Sequence, residues 1–451
     1  MPFVNLNYEA IIMNKEKVSI FKNPFYLESS LSLLLFFSAW GIWWSFFQIW
    51  LTNDLKFSGA KVGLIYTFDS AITLVLMFVY GSIQDKLGIK RRLLIAVTVL
   101  EMLLGPFFTW IYAPLLHSNF ILGAFCGSLY LSFAFLAASP TFEALAERMS
   151  RRYGFEYGKA RAWGSFGYAI SALCAGYLFT VSPYLVFWLC SALSVLTFLL
   201  LCFDKTKNPQ EINEFIDKKE EKHDADKPSF KDILSVFKMK QLWELVIFII
   251  FSGSFYTVFD QQMFPQFFTQ FFATPAQGNT AYGILNSIEV FLEAAMMAVV
   301  PWIMKKIGVR KTLLIGVTIM FLRIGLCGIV TNPVGISIVK LFHAPETAIF
   351  ALALFRYLTL HFDTRLSATM YMVVGQIAGQ IGQIVFSTPL GVLHDSIGYR
   401  NTFLVISMIV ICAAIYAFFI LRKDNQEVNG QPLAVSHHYT QHKEQSLKGS
   451  N

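Results

Sequence analysis

Gly81-Ser82-Ile83-Gln84-Asp85-Lys86-Leu87-Gly88-Ile89-Lys90-Arg91-Arg92 is a short polar turn between two long apolar runs, and it decides the fold. Two glycines bracket the turn, an acid and several bases sit where they complement helix ends, and the next apolar run begins at once. A degraded copy, Lys305-Lys306-Ile307-Gly308-Val309-Arg310-Lys311, returns in the second half of the chain. Apolar runs of about 20 residues, enough to cross a bilayer, lie near 26–51, 62–83, 92–113, 119–143, 158–180, 183–203, 241–270, 280–303, 312–331, 333–359, 367–388 and 401–421. Each turn falls between the second and third run of a block of six. The chain therefore reads as a duplication: an all-α membrane protein with twelve transmembrane helices in two six-helix halves.

Composition agrees. Of 451 residues, 55% are hydrophobic and 14% charged, whereas soluble domains carry about a quarter charged residues. The net charge of +7 is spread as a membrane protein spreads it, not as a nucleic-acid binder does. Bases mark the turns after the second, fourth and eighth runs, while Pro114–Ser118, Val181–Pro183, Gln277–Thr280 and Thr331–Pro333 carry no Lys or Arg. Both termini are expected in the cytoplasm, with Lys56, Lys61 and Arg400 as exceptions. The expected partners are a lipid bilayer and no nucleic acid.

The expected division is a cytoplasmic N-terminal segment (1–24), a six-helix bundle (25–203), a cytoplasmic linker (204–240), a second bundle (241–421) and a cytoplasmic tail (422–451). The linker mixes acids and bases, as in Lys218-Lys219-Glu220-Glu221-Lys222, and cannot build a core. Met13-Asn14-Lys15-Glu16-Lys17 has the look of a natural start, which would make residues 1–12 an extension. The first apolar run is too long for a signal-peptide core and is expected to be retained. All six cysteines fall in or beside apolar runs and outline no disulfide framework. Neither they nor the His437–His438 pair makes a metal site. No cofactor, nucleotide-binding loop or nucleophile–base set stands out, so the chain does not read as an enzyme or as ATP-driven.

The apolar runs nevertheless contain ionisable groups. Lys340-Leu341-Phe342-His343-Ala344-Pro345-Glu346 sets a base, an imidazole and a carboxyl at helical spacing of three, so they share one face. Tyr256 and Asp260 lie one turn apart, as do Glu289 and Glu293, and Arg323 stands alone in run nine. Charges at membrane depth cost about 2.5–3.5 kcal/mol each on insertion scales and mark either function or a pairing network that fastens helices. Glu143 and Arg161 read, by position alone, as a pair at a cytoplasmic helix end; the alternative is a pair inside a cavity. Trp43 and Trp44 lie well inside run one, where packing and sugar stacking are both open. Gly375-Gln376-Ile377-Ala378-Gly379-Gln380-Ile381-Gly382 is small-residue rich, as sliding or closely packed helices require. Asp69 and Glu101 are further acids; Asp69 is expected to face the solute pathway and Glu101 to pair with a base.

Glu143-Ala144, Ser150-Arg151-Arg152, Phe155 through Arg161, Phe259-Asp260-Gln261-Gln262 and Lys340 through Glu346 resemble the oligosaccharide/proton symporters of the major facilitator superfamily, across residues 24–422. Phe37 through Ser45 and Ala160 through Tyr168 look closer to its sucrose branch than to its lactose branch. The resemblance implies that Glu143 and Arg161 bind sugar, overturning the end-pair reading, and that Tyr168 is an aromatic floor. It implies that Glu346, Arg323, His343 and Tyr256 couple the proton, that His343 also touches sugar, and that Asp260 and Lys340 neutralise each other. A second charge pair of the lactose branch is absent, with Thr257 and Gly379 in its places. The essential acid of span eight falls on Glu289 if a one-residue gap is placed; without it Val290 takes that position and Glu293 falls on a sugar-contacting Asn of the lactose branch, so both Glu289 and Glu293 stand as sugar-binding candidates.

The function so implied is uptake of a disaccharide with a proton across the bacterial cytoplasmic (inner) membrane, by a monomer. Sucrose leads, followed by melibiose, raffinose, lactose and maltose. A non-transporting sugar sensor and an efflux antiporter on the same fold are the rivals.

Overall fold

The computed structural model of the chain describes residues 23–87, 90–203, 237–362 and 366–424. The N-terminal segment with its Met13 start, most of the linker and nearly all of the tail, with His437 and His438, lie outside the described residues. Within them every regular element is helical. The membrane-length helices are α1 (Pro24–Asp54), α2 (Gly59–Gln84), α3 (Arg92–Ser118), α4 (Phe120–Tyr153), α5 (Tyr157–Val181), α6 (Pro183–Cys202), α7 (Lys240–Val258), α8 (Pro275–Ile307), α9 (Val309–Ile329), α10 (Pro333–His361) and a long run, Thr369–Ile420. That run turns at Gly398, whose φ of +78° with an extended ψ suits a residue lacking Cβ, and so divides into α11 (369–397) and α12 (399–420). The fold is therefore twelve helices in two halves.

Run seven differs from the uninterrupted span read from sequence. Helix α7 ends at Val258, and a short helix resumes at Phe264–Thr269 with Pro265 in its first turn. Broken backbone at membrane depth survives only where protein satisfies it. Here the Tyr66 hydroxyl donates to the Gln261 carbonyl (3.2 Å), and the Gln262 side-chain amide donates to the Ser387 carbonyl (2.8 Å). The break sets Asp260 in a non-helical stretch facing its neighbours.

The halves meet along α2 with α11 and along α5 with α8. The side-chain and capping bonds that cross between halves gather at one end of the bundle. Gln266 N–H donates to Gln48 (3.0 Å), the Thr67 and Thr388 hydroxyls pair at 2.8 Å, and Ser70 donates to Gln383 (2.8 Å). Outermost, Asp395 accepts the Gly59 and Ala60 N–H groups at 2.7 and 2.8 Å, capping the start of α2 from the opposite half. A Cβ on Gly63 would collide with the Ser387 carbonyl, so the backbones touch there. Twelve crossings return the chain to the side on which α1 began, and these contacts lie at the other end. The cavity between the halves is thus closed away from the termini and open toward them. Outward-facing Val75, Trp110 and Phe419 are largely exposed, as a lipid-facing surface requires.

Candidate functional site

A cavity of about 580 Å³ lies between the halves, within the roughly 300–1,000 Å³ range of small-molecule sites. Its C-terminal wall is a network of charges. Arg323 on α9 donates through two nitrogens to Asp260 (2.6 and 2.7 Å) and through two to Glu346 (2.7 and 2.9 Å). Lys340 reaches Asp260 at 2.7 Å and Glu289 at 3.0 Å. His343 lies 3.3 Å from Asp260, 3.5 Å from Glu289 and 3.7 Å from Glu346, with Thr347 at 3.1 Å. Tyr256 stacks on the imidazole, with ring centroids 5.2 Å apart and planes 17° apart. The aromatic faces of Phe259 and Phe264 lie beneath Arg323 and Lys340, adding cation–π attraction.

Burial makes this network demanding. Asp260, Glu289, Arg323, Lys340, His343 and Glu346 are all buried, and a buried ion left unpaired costs several kcal/mol. Three carboxyls face two permanent cations. Asp260, His343 and Glu346 bring ligand-type atoms within 4.8 Å of one another, but Arg323 and Lys340 already occupy the carboxylates. The Asp260–Lys340 pair expected from sequence is present, though it is not self-contained: Arg323 shares Asp260.

The N-terminal wall is built differently. Arg161, one turn into α5, donates from Nε to Glu143 (2.6 Å) and from a terminal nitrogen to Ser165 (3.3 Å), with its plane over Phe37. Both partners are about a third exposed, so the pair faces the cavity and is not sealed at a helix end. Tyr168 lies two turns deeper against Gly41, where a Cβ would touch its ring at 3.0 Å, and its hydroxyl is 3.4 Å from that of Ser45. Asn286 on α8 donates to the same Ser45 hydroxyl at 3.0 Å, tying the halves together behind the ring.

The structure separates the two acids of α8: Glu289 belongs to the buried network, while Glu293 lines the cavity half-buried and, among the described residues, makes no ion pair or hydrogen bond. Trp43 is wholly buried among aromatic rings, whereas Trp40 and Trp44 line the cavity. Asp69 is in the cavity wall. Glu101 corrects an expectation: it is fully buried beside Ser194 and Tyr130, and among the described residues no base faces it. Asn286 and the glutamines of α11 escaped sequence reasoning; their signal was polar side chains at helical spacing inside apolar runs.

Residues 18–432 match the family model described as LacY proton/sugar symporter. The chain is 40% identical to the sucrose permease of Escherichia coli over 408 residues, covering 90% of this chain and 96% of that protein. It is 35% identical to the raffinose permease of Escherichia coli (89% and 94%) and 34% identical to the lactose permease of Citrobacter freundii (84% and 90%). Among solved structures, a nucleoside transporter, NupG, superposes with a TM-score of 0.74 at 15% identity, covering 89% of this chain and all of that one. A D-xylose-proton symporter does so with a TM-score of 0.65 at 14% identity (89% and 98%). At those identities the structures establish the fold alone.

Proposed function

Since this chain belongs to the LacY proton/sugar symporter family, we propose that it carries sucrose inward with a proton, by alternating access, across the bacterial cytoplasmic membrane. On this reading it works as a monomer, its termini and the 204–240 linker are cytoplasmic, and the bundles 25–203 and 241–421 rock about the sugar.

The observation that carries the reading is the charge count of the C-terminal wall. Asp260, Glu289 and Glu346 oppose Arg323 and Lys340, so with a neutral His343 one proton brings the network to balance. Asp260 is held by two permanent cations, while Glu346 has Arg323 alone and Glu289 has Lys340 alone; of these two, Glu346 is assigned the proton because its position matches the family's proton-coupling carboxylate. Burial favours a neutral carboxyl and an adjacent cation favours a charged one. With the proton aboard, Glu346 is free of Arg323; sugar then bridges Glu143 and Arg161 on one wall to His343 and Glu293 on the other, over Tyr168. A planar guanidinium suits vicinal hydroxyls and a carboxylate accepts their protons. Opening toward the termini admits water, Arg323 regains Glu346 and the proton leaves.

The test is external pH in a lightly buffered, de-energised suspension of cells making the protein, after addition of sucrose. Alkalinisation that disappears in Glu346→Gln, with sucrose exchange retained, is the expected result. A Glu346→Gln protein that still concentrates sucrose removes Glu346 as the proton carrier, and bound sucrose without any movement points to a sensor.

A further inference from the structure

The cavity wall made by α2 and α11 belongs to neither cluster, yet it carries acceptor atoms with unused capacity. Asp69 on α2 is only 3% exposed and lines the cavity, and among the described residues the donor nearest its carboxylate, the Ser128 hydroxyl, is shared with the Ile65 carbonyl at 3.3 Å, which leaves the carboxylate oxygens with capacity to accept. Ser132 donates to the Asp69 carbonyl and Thr73 to Ser132. No cation faces Asp69 among the described residues. On α11, Gln376, Gln380 and Gln383 share one face at spacings of four and three. All three line the same cavity. Gln383 accepts from Ser70, one residue beyond Asp69, while the side-chain oxygen of Gln380 has no partner. A buried acceptor without a donor destabilises the fold, so such atoms persist where a donor comes and goes.

We propose that this wall is the subsite for the second sugar ring, with Asp69 and Gln380 accepting hydrogen bonds from its hydroxyls while Glu143, Arg161 and Tyr168 hold the first. The assignment rests on the sugar-transport reading and deepens it: it makes the cavity a disaccharide site. The chemistry fits a polyol, whose hydroxyls donate to the Asp69 carboxylate and the Gln380 carbonyl oxygen and can accept from the glutamine amides beside them. The position fits as well, since Asp69 and Gln383 stand where the contacts between halves begin, and a ring seated there would meet both halves as they close.

The experiment compares wild-type protein, Asp69→Asn and Gln380→Leu in membrane vesicles, using labelled sucrose with methyl α-D-glucopyranoside and methyl β-D-fructofuranoside as competitors, in sodium and in choline media. Each substitution should raise the KM for sucrose and the inhibition constant of one and the same glycoside by about tenfold, the worth of one hydrogen bond to a charged or buried group. The other glycoside should stay within about twofold, well under the same energy. Weakening of both glycosides together, or of neither, overturns the subsite. So does a sodium dependence of wild-type uptake that Asp69→Asn abolishes, since that assigns the carboxylate to a metal cation. If Asp69→Asn fails to reach the membrane, Gln380→Leu decides alone. A wild-type protein that takes up no sucrose overturns the sucrose reading, and the subsite with it, before either variant is made.

Discussion

Arg323 grips two carboxylates at once, so its loss strands both. Arg323→Ala should cost about 3–5 kcal/mol of the stability of the C-terminal half, the usual penalty for breaking a buried pair, and thermal melting in detergent reads it directly. Lys340 is a gentler case. Removing it alone leaves Asp260 and Glu289 short of a cation, whereas Asp260→Asn with Lys340→Met removes one charge of each sign and keeps the balance. The double variant should therefore recover sucrose accumulation that Lys340→Met loses; equal failure of both would falsify the charge count. Arg161→Lys probes recognition, because an ammonium cannot reproduce the planar fork on Glu143 and Ser165, and equilibrium binding of labelled sucrose should vanish. Much of this set was legible in the chain as charges in apolar runs and as a family pattern. Glu101 shows where that legibility stops: sequence displays an acid but not what its helix face meets, and the described residues place no base against it. The distinction between Glu289 and Glu293 was hidden for the same reason, since both lie on one face and only tertiary packing sends one to Lys340.

Helices were predicted well wherever a long apolar run ended in glycine, proline or charge. Run seven was not, because Ser252-Gly253-Ser254 and Pro265 weaken a helix without announcing a break; the break is held by bonds to Tyr66 and to the Ser387 carbonyl, which belong to other parts of the fold. The join of α2 to α11 is the element most open to test. Asp395 caps α2 across the halves, and replacing a capping side chain with Ala costs about 1 kcal/mol. Asp395→Ala should thus favour opening at that end, and a cysteine placed at Gln266, in a background stripped of the six native ones, should react with an impermeant thiol reagent about fivefold faster. An unchanged rate would show that the cap does not hold the end shut.

At the scale of the whole molecule, the cavity opens on one side only and the charge network sits in one half. On the proposed reading the proton site lies in the C-terminal bundle alone, whereas the sugar site spans the cavity, with His343 and Glu293 facing the Glu143–Arg161 wall. Accumulation should follow the proton gradient: moving one charge through 100 mV is worth about 2.3 kcal/mol. A protonophore should abolish accumulation of labelled sucrose while leaving its exchange across the membrane intact, and loss of exchange as well would mean that the proton is needed for movement itself and not only for direction.

The clasp that closes the cavity is made of neutral hydroxyl and amide bonds, together with one carboxylate resting on backbone N–H groups. Among the described residues every ion pair lies within a single half. Rocking the bundles consequently separates none of these pairs, and the one charge it pulls from a partner across the halves in the clasp is the Asp395 carboxylate, which leaves the Gly59 and Ala60 N–H groups. Turnover of the empty carrier should therefore depend only weakly on ionic strength, and the membrane voltage is left to act on the travelling proton.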